Sequence, residues 1–345
     1  PESAAQVDLD LSGLSMTTAN QVMSVTFTGT NDVEVTALNA DVTTLDASGM
    51  GTGGAVVQTG RSATNASTYT GSAGADTFIM MSSSDVINAG AGSDTLDVNY
   101  QGVLGGLNID LNATNQLVSI DGSSASGTIT GFVNVDVSGY TGGSGARITG
   151  LTTATNTTVI GTTAGDVITT GAGADTLTKS GSDTIVMGAG IDTLNILTDA
   201  EINAVSTASN GTYDGGDGVD ILALGQTLSA GADADWVDFS NMETLRLNNA
   251  AADNVLNAGT NFAAAGFTKI ESFATANMDL ALTIGTAGLG TAAAPFEITN
   301  FSLNDVATSV DFGTEAAADE AITGFTVNGN GVYSDADGTS ATFFA

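Results

Sequence analysis

Aspartates fall on a nine-residue beat twice in this chain, and most of them close a small glycine-marked turn. Asp76, Asp85 and Asp94 are nine apart, and Asp166, Asp175, Asp183 and Asp192 follow with steps of nine, eight and nine. Their neighbours repeat too: Gly74-Ala75-Asp76-Thr77-Phe78, Gly92-Ser93-Asp94-Thr95-Leu96, Gly173-Ala174-Asp175-Thr176-Leu177, Gly181-Ser182-Asp183-Thr184-Ile185 and Gly190-Ile191-Asp192-Thr193-Leu194. The fullest copy is Gly215-Gly216-Asp217-Gly218-Val219-Asp220-Ile221-Leu222. A glycine turn alternating with a short strand at a fixed period is the mark of a coil that buries its apolar face only against neighbouring coils. The pattern therefore predicts an all-β chain wound as a parallel β-roll or β-solenoid.

Charge says what such turns lack. The chain carries 38 acidic residues against 5 basic ones (Arg61, Arg147, Lys179, Arg246 and Lys269), a net charge of −33. Nothing here neutralises phosphates, so nucleic acid is excluded as a partner. Apolar residues make up 42% of the chain, and Val, Ile, Leu and Thr recur in strand-like runs, which argues against disorder. The carboxylates have no countercharge in the sequence, and their placement points to a metal ion as the missing one. Cysteine and histidine are absent, which removes disulfides, thiolate chemistry and histidine-based zinc, haem or triad sites. A cation held by oxygen ligands is the staple that remains. No run of 18 apolar residues occurs, so no membrane span is expected. Pro1-Glu2-Ser3-Ala4-Ala5 shows no basic start leading into an apolar stretch, and no cleavable signal peptide is read there.

Five regions follow along the chain. Residues 1–70 alternate with period two, as in Val22-Met23-Ser24-Val25-Thr26-Phe27-Thr28, and read as N-terminal solenoid coils. Residues 71–98 are the first aspartate block. Residues 99–160 hold further strands without the aspartate turn; the 72 residues from Asp94 to Asp166 are a multiple of nine, consistent with a coil continuing without metal. Residues 161–222 are the second block. Residues 223–345 repeat another unit, Asn241-Met242-Glu243-Thr244-Leu245-Arg246-Leu247, echoed from Lys269 to Ala274. Short helices are expected only within 199–208 and 262–267. The 45 glycines and 2 prolines suit many tight turns between hydrogen-bonded strands.

The turn chemistry selects calcium. Glycines reach positive φ, so carbonyl oxygens can turn toward one point, and the aspartate adds a charged oxygen. Calcium takes six to eight oxygens, so two stacked turns must share each ion. If strands alternate between two faces, Asp76 stacks on Asp94, Asp166 near Asp183 and Asp175 on Asp192. Candidate ligands are Asp76, Asp85, Asp94, Asp166, Asp175, Asp183, Asp192, Asp217 and Asp220, with Gly74, Gly90, Gly92, Gly171, Gly173, Gly188, Gly190, Gly216 and Gly218 shaping the turns. Ser72 replaces one glycine before Asp76, and Lys179 stands where a glycine is expected before Asp183. Asp335-Ala336-Asp337-Gly338 is similar to the start of an EF-hand loop, but no suitable glutamate follows, and it reads as an acidic turn. Gly29-Thr30-Asn31-Asp32 reads as a hairpin turn in preference to another ion site. Asp233 with Asp235, and Asp319 with Glu320, read as solvated loop acids, not acid–base dyads.

At these turns the chain resembles the RTX (repeats-in-toxin) proteins of Gram-negative bacteria, over about 90 of its 345 residues. Asp41 to Gly49 followed by Thr70-Gly71-Ser72-Ala73-Gly74-Ala75-Asp76, and Arg147-Ile148-Thr149-Gly150-Leu151 leading into Gly161-Thr162-Thr163-Ala164-Gly165-Asp166, look like the surface-layer proteins among them. The resemblance implies several bound Ca2+ ions and export to the cell surface through a type I channel. It also implies an uncleaved C-terminal signal, for which residues 223–345 are the candidate region, and assembly into a lattice. The expected function is a secreted structural protein, a surface-layer or filament subunit that self-associates and meets cell-surface polysaccharide, and not an enzyme. Two other readings stay open: the calcium module of a secreted enzyme, and an adhesin or ice-binding module, although the threonines form no regular T-x-T ladder.

Overall fold

The computed structural model describes residues 6–15, 22–51, 54–60, 66–101, 105–197, 211–225, 228, 232–248, 254–272, 280–284, 296–299, 309–311, 325–327, 331–334 and 340–343. The helix expected within 199–208, the Asp335–Gly338 turn and the Asp319–Glu320 pair lie outside the described residues. The chain divides into two compact units, residues 1–172 and 173–345.

In the first unit, successive strands alternate between two parallel sheets. One is built from Val7–Leu11, Val33–Leu38, Val56–Gln58, Thr77–Met80, Thr95–Val98, Asn134–Asp136 and Thr158–Ile160. The other stacks Met23–Gly29, Val42–Met50, Thr68–Thr70, Val86–Asn88 and Thr128–Thr130. Alternation follows from period-two sequences: in Thr95–Val98 the buried residues are Leu96 and Val98, while Thr95 and Asp97 face outward. Stacking is in register, with Thr77 beside Thr95, Phe78 beside Leu96 and Met80 beside Val98. Identical positions of successive coils thus form columns, and the interior becomes a ladder of aliphatic residues in which Tyr69 stacks on Phe78 at 5.6 Å. The fold is the parallel β-roll that the nine-residue beat predicts.

Between Val98 and Asn134 the coil is interrupted. Leu107–Asp110 and Leu117–Ile120 pair antiparallel, Ser123–Ser124 adds to them, and Leu107–Asp110 also begins a parallel row with Ala146–Thr149 and Val167–Thr169. The buried side-chain amide of Gln116 ties this hairpin down: it donates to the carbonyls of Leu111 and Phe132 and accepts from the Phe132 amide. Thr95 still finds a parallel neighbour, Asn134. Parallel pairing with Thr95–Val98 thus resumes beyond an inserted hairpin, and the 72-residue interval is not a run of unbroken nine-residue steps.

In the second unit, Thr176–Lys179, Thr193–Ile196, Ile221–Leu224, Thr244–Leu247, Lys269–Ser272, Phe296–Thr299 and Phe325–Val327 form one parallel row. Asp183–Val186, Gly211–Asp214 and Phe239–Ser240 form a second. A third, Asn254–Ala258, Leu280–Ile284, Ser309–Asp311 and Gly331–Ser334, ends on the antiparallel strand Ser340–Phe343. The two similar segments of the tail are neighbouring rungs, with Leu245 beside Ile270 and Arg246 beside Glu271. A short helix, Thr260–Ala264, overlaps the expected one. It delivers Phe262 to an aromatic plug, where Trp236 meets Phe262 and Phe267 edge-on at 5.3 and 5.6 Å and Phe262 stacks on Phe267 at 4.5 Å.

Two expectations need correction. Asp233 and Asp235 are not solvated loop acids: Asp233 accepts from the amides of Asn261 and Phe262 at the start of that helix, and the buried Asp235 accepts from the Ala232 amide. Free backbone amides at helix and turn starts attract carboxylates, and that demand fixes both acids. Gly29–Asp32 is not a hairpin turn, because the strands it joins belong to different sheets; it is a corner of the coil, with Gly29 at φ +122° and Asp32 accepting the Ala55 amide at 3.0 Å. No described helix is long and apolar enough to cross a membrane.

Candidate metal centre

Each strand of the roll ends in a corner, and several of the aspartates stand at corners where glycine is sterically required. Gly90 and Gly92 precede Asp94 at φ +99° and +149°, a region that side chains disfavour. A Cβ on Gly92 would lie 2.1 Å from the Gly74 carbonyl oxygen, and one on Gly90 would lie 2.1 Å from that of Ser72. Carbonyl oxygens of one turn are therefore pressed against the bare α-carbons of the next. The arrangement recurs at Gly188 and Gly190 before Asp192, and at Gly216 and Gly218 before Asp220. There the carbonyl oxygen of Gly173 faces Gly190, and those of Gly188 and Gly190 face Gly216 and Gly218.

The carboxylates form a ladder along these corners. The Asp76 amide donates to Asp94 Oδ1 at 2.7 Å, the Asp175 amide to Asp192 Oδ1 at 2.7 Å, and the Asp192 amide to Asp220 Oδ1 at 2.8 Å. The Asp220 amide donates to Glu243 Oε2 at 2.7 Å. Each rung uses one carboxylate oxygen. The second oxygen of Asp94, Asp192 and Asp220 is buried and has no hydrogen-bond partner among the described residues. All three residues are 0% exposed. Buried carboxylate oxygens without donors cost several kcal/mol unless a charge answers them. Burial pushes Asp94 up to about 6, with the Asp76 amide opposing and the Asp76 charge adding. Burial raises Asp192 to about 7, helped by the charges of Asp175 and Asp220, and Asp220 to about 6, helped by Glu243 and Asp214. The ion pairs of Glu271 with Arg246 and Lys269 lie elsewhere.

A hard divalent cation fits this setting: it is satisfied by carboxylate and carbonyl oxygens and supplies the absent positive charge. Among the described residues no three acidic side chains converge on one point, so an ion at these corners takes most of its oxygens from the backbone.

The family of RTX calcium-binding nonapeptide repeats matches the chain in 4 copies, over residues 70–99 and 151–178. These segments are RTX repeats. Repeats of this family bind Ca2+, and the chain holds several copies of them. No curated protein and no solved structure matches the chain.

The remaining candidate residues are placed as follows. Asp76 and Asp94 are stacked, as are Asp175 and Asp192 despite the eight-residue step that follows Asp175. Asp166 lies in the first unit and Asp183 in the second. The Asp85 carboxylate accepts from the amides of Ser67, Met81 and Ser82. Asp76 accepts from the amide and hydroxyl of Ser72, and Asp166 from the amide and hydroxyl of Thr162. Asp183 is buried and opens the strand Asp183–Val186. Lys179, four residues earlier, is also buried, with its ammonium 5.1 Å from the centre of the Tyr213 ring. Asp217 is exposed, and what pairs is its backbone amide, with the Gly188 carbonyl. Gly74 supplies a facing carbonyl, and a Cβ on Gly171 would lie 1.6 Å from the Leu151 carbonyl oxygen. Glu243 is absent from the candidates that spacing selects. Its signal is nonetheless in the sequence, because Met242-Glu243-Thr244-Leu245 has the form of Ile191-Asp192-Thr193-Leu194 with a longer acid.

Proposed function

We propose that this chain is a secreted structural subunit, of a surface layer or extracellular filament, that becomes rigid when it meets calcium outside a Gram-negative cell. The observation that carries the reading is the set of buried, unanswered carboxylate oxygens at Asp94, Asp192 and Asp220 in a chain of net charge −33. At low free calcium those charges oppose winding of the coils. At extracellular calcium, sites with dissociation constants of about 10⁻⁴–10⁻³ M fill and draw the chain into its fold. Proteins built on such repeats are typically secreted, which suits this switch.

A structural role, as opposed to a catalytic one, is favoured by how the acids are used. Asp233, Asp235 and Glu271 are engaged in capping and ion pairing, and the sequence has neither histidine nor cysteine. Self-association is supported by outward-facing Val86, Val167 and Val186 on parallel strands, with cell-surface polysaccharide as the proposed anchor. Electron microscopy of purified protein with and without millimolar calcium tests the proposal. Periodic sheets or filaments that form only with calcium support it. Dispersed monomers in both conditions overturn it and move the balance to a calcium module of a secreted enzyme or an adhesin.

A further inference from the structure

We infer that the aspartate corners are of two chemical kinds, and that a hydroxyl or amide clasp replaces the calcium ion at Asp76, Asp85 and Asp166. The inference rests on the calcium reading above and refines it to named sites.

The two kinds are separated by what surrounds the second carboxylate oxygen. At the corners with paired positive-φ glycines, 90 with 92, 188 with 190 and 216 with 218, the aspartates keep a bare buried Oδ2. At Asp76 a serine replaces a glycine, and its hydroxyl lies between two turns. It donates to the Gly54 carbonyl at 2.7 Å and is 3.0 Å from Asp76 Oδ2, while the Ser72 amide donates to the same oxygen at 2.6 Å. The Val56 amide takes Asp76 Oδ1. A position between a carbonyl of one coil and a carboxylate of the next is where a shared cation would sit, and here it is filled by an O–H group. At Asp166 the Thr162 hydroxyl donates to Oδ1 at 2.7 Å, the Thr162 amide to Oδ2 at 2.7 Å and the Ala146 amide to Oδ1 at 2.6 Å. At Asp85 three amides surround the carboxylate, two from its own turn and one from Ser67 in the preceding coil.

Donors turn their positive hydrogen ends toward the carboxylate, so a cation there would have to break two or three hydrogen bonds and meet N–H groups where it needs oxygens. At Asp94, Asp192 and Asp220 nothing needs to be displaced. The division cuts across the repeat pattern. Asp76, Asp85 and Asp166 lie inside the matched segments, whereas Asp192 and Asp220, two of the three ion-holding corners, lie beyond residue 178. The clasped corners hold their coils at any calcium concentration and leave a partly wound chain on which the ion-dependent corners close.

Equilibrium dialysis of the full chain against Ca2+ tests this. Asp94→Asn, Asp192→Asn and Asp220→Asn each lower bound calcium by about one ion per chain, and Asp76→Asn and Asp166→Asn leave it unchanged. If a clasp variant fails to fold, hydrogen exchange on the unaltered chain in calcium-free buffer decides instead. Amides 56–58 and 146–149 then stay protected, while 95–98, 193–196 and 221–224 exchange. Loss of an ion in Asp76→Asn or Asp166→Asn, or uniform exchange across both sets, overturns the division alone. Absence of any bound calcium overturns the calcium reading itself.

Discussion

Glu271 and Asp192 are both buried carboxylates on rungs of the same unit, and the chain treats them in opposite ways. Glu271 accepts from Arg246 at 2.7 Å and Lys269 at 2.6 Å. Burial alone would raise its pKa, but the hydrogen bonds and charges of those two cations hold it below the usual range. Asp192 has one amide on Oδ1 and nothing on Oδ2, and burial lifts it to about 7. One rung carries its countercharge in the sequence, while the other must obtain it from solution. A chain with only 5 basic residues cannot answer 38 acids internally. The difference makes stability at the corners a function of the medium and leaves stability at the Arg246–Glu271 rung independent of it.

Removing calcium is the strongest way to break that contrast. Each bound ion at tenfold saturation contributes about 1.4 kcal/mol, and three such sites about 4 kcal/mol, if each binds only the folded chain. Chelation should then lower the thermal midpoint by roughly 6 °C, read by circular dichroism. An unchanged midpoint would show that the bare oxygens need no ion. Next in size is Asp192→Asn, which keeps an acceptor for the Asp175 amide but removes the charge. In calcium it should lose about 1.4 kcal/mol of stability; in calcium-free buffer it should melt above the unaltered chain, because the uncompensated charge is gone. Equal destabilisation in both buffers would mean that Asp192 is a plain structural residue. Glu271→Gln sharpens the other side. Its partners are partly exposed, so the loss should be about 1 kcal/mol, and of the same size with and without calcium. A calcium-dependent loss would contradict the claim that this rung is self-sufficient.

Much of this contrast is legible in the order of the residues, and the rest is hidden for physical reasons. The nine-residue beat around Asp76, Asp94, Asp175 and Asp192 specifies which residues stack, because a coil of two strands returns to the same corner after two repeats. Thr77 beside Thr95 and Thr176 beside Thr193 follow from it. The inserted hairpin is not legible, because Leu107–Asp110 and Leu117–Ile120 have the same alternation as the coil strands, and only the hydrogen bonds of Gln116 distinguish them. Nor can spacing tell a clasped corner from an open one. Ser72 is visible as a missing glycine, but its hydroxyl filling the space between two turns is a fact of three dimensions. Asp233 and Asp235 mislead for a similar reason: a loop acid looks solvated until the helix whose amides it caps is in place.

The smallest expected effect, and the most direct test of the contrast, is a reversal of pH dependence. An unfolded aspartate ionises near its ordinary value of 3.8, whereas Asp94, Asp192 and Asp220 in the folded, ion-free chain ionise at about 6 to 7. Between those values the folded state holds more protons than the unfolded state. Stability therefore falls as pH rises through the window and is fullest at its acid end. With calcium bound the sign reverses, since protons compete with the ion for the same oxygens and its contribution fades as pH falls toward 5. Trp236, the only tryptophan, lies in the plug of the second unit and reports its melting by fluorescence. In calcium-stripped buffer the midpoint should rise by a few degrees from pH 7.5 to 5, and in millimolar calcium it should fall. Relief of the overall charge of −33 also favours the acid side, so Asp192→Asn serves as the control. It keeps the general repulsion and removes one buried carboxylate, and its calcium-free slope must be shallower. A midpoint that rises with pH in calcium-free buffer would mean that these carboxylates are already answered within the chain, and the distinction between Asp192 and Glu271 would collapse.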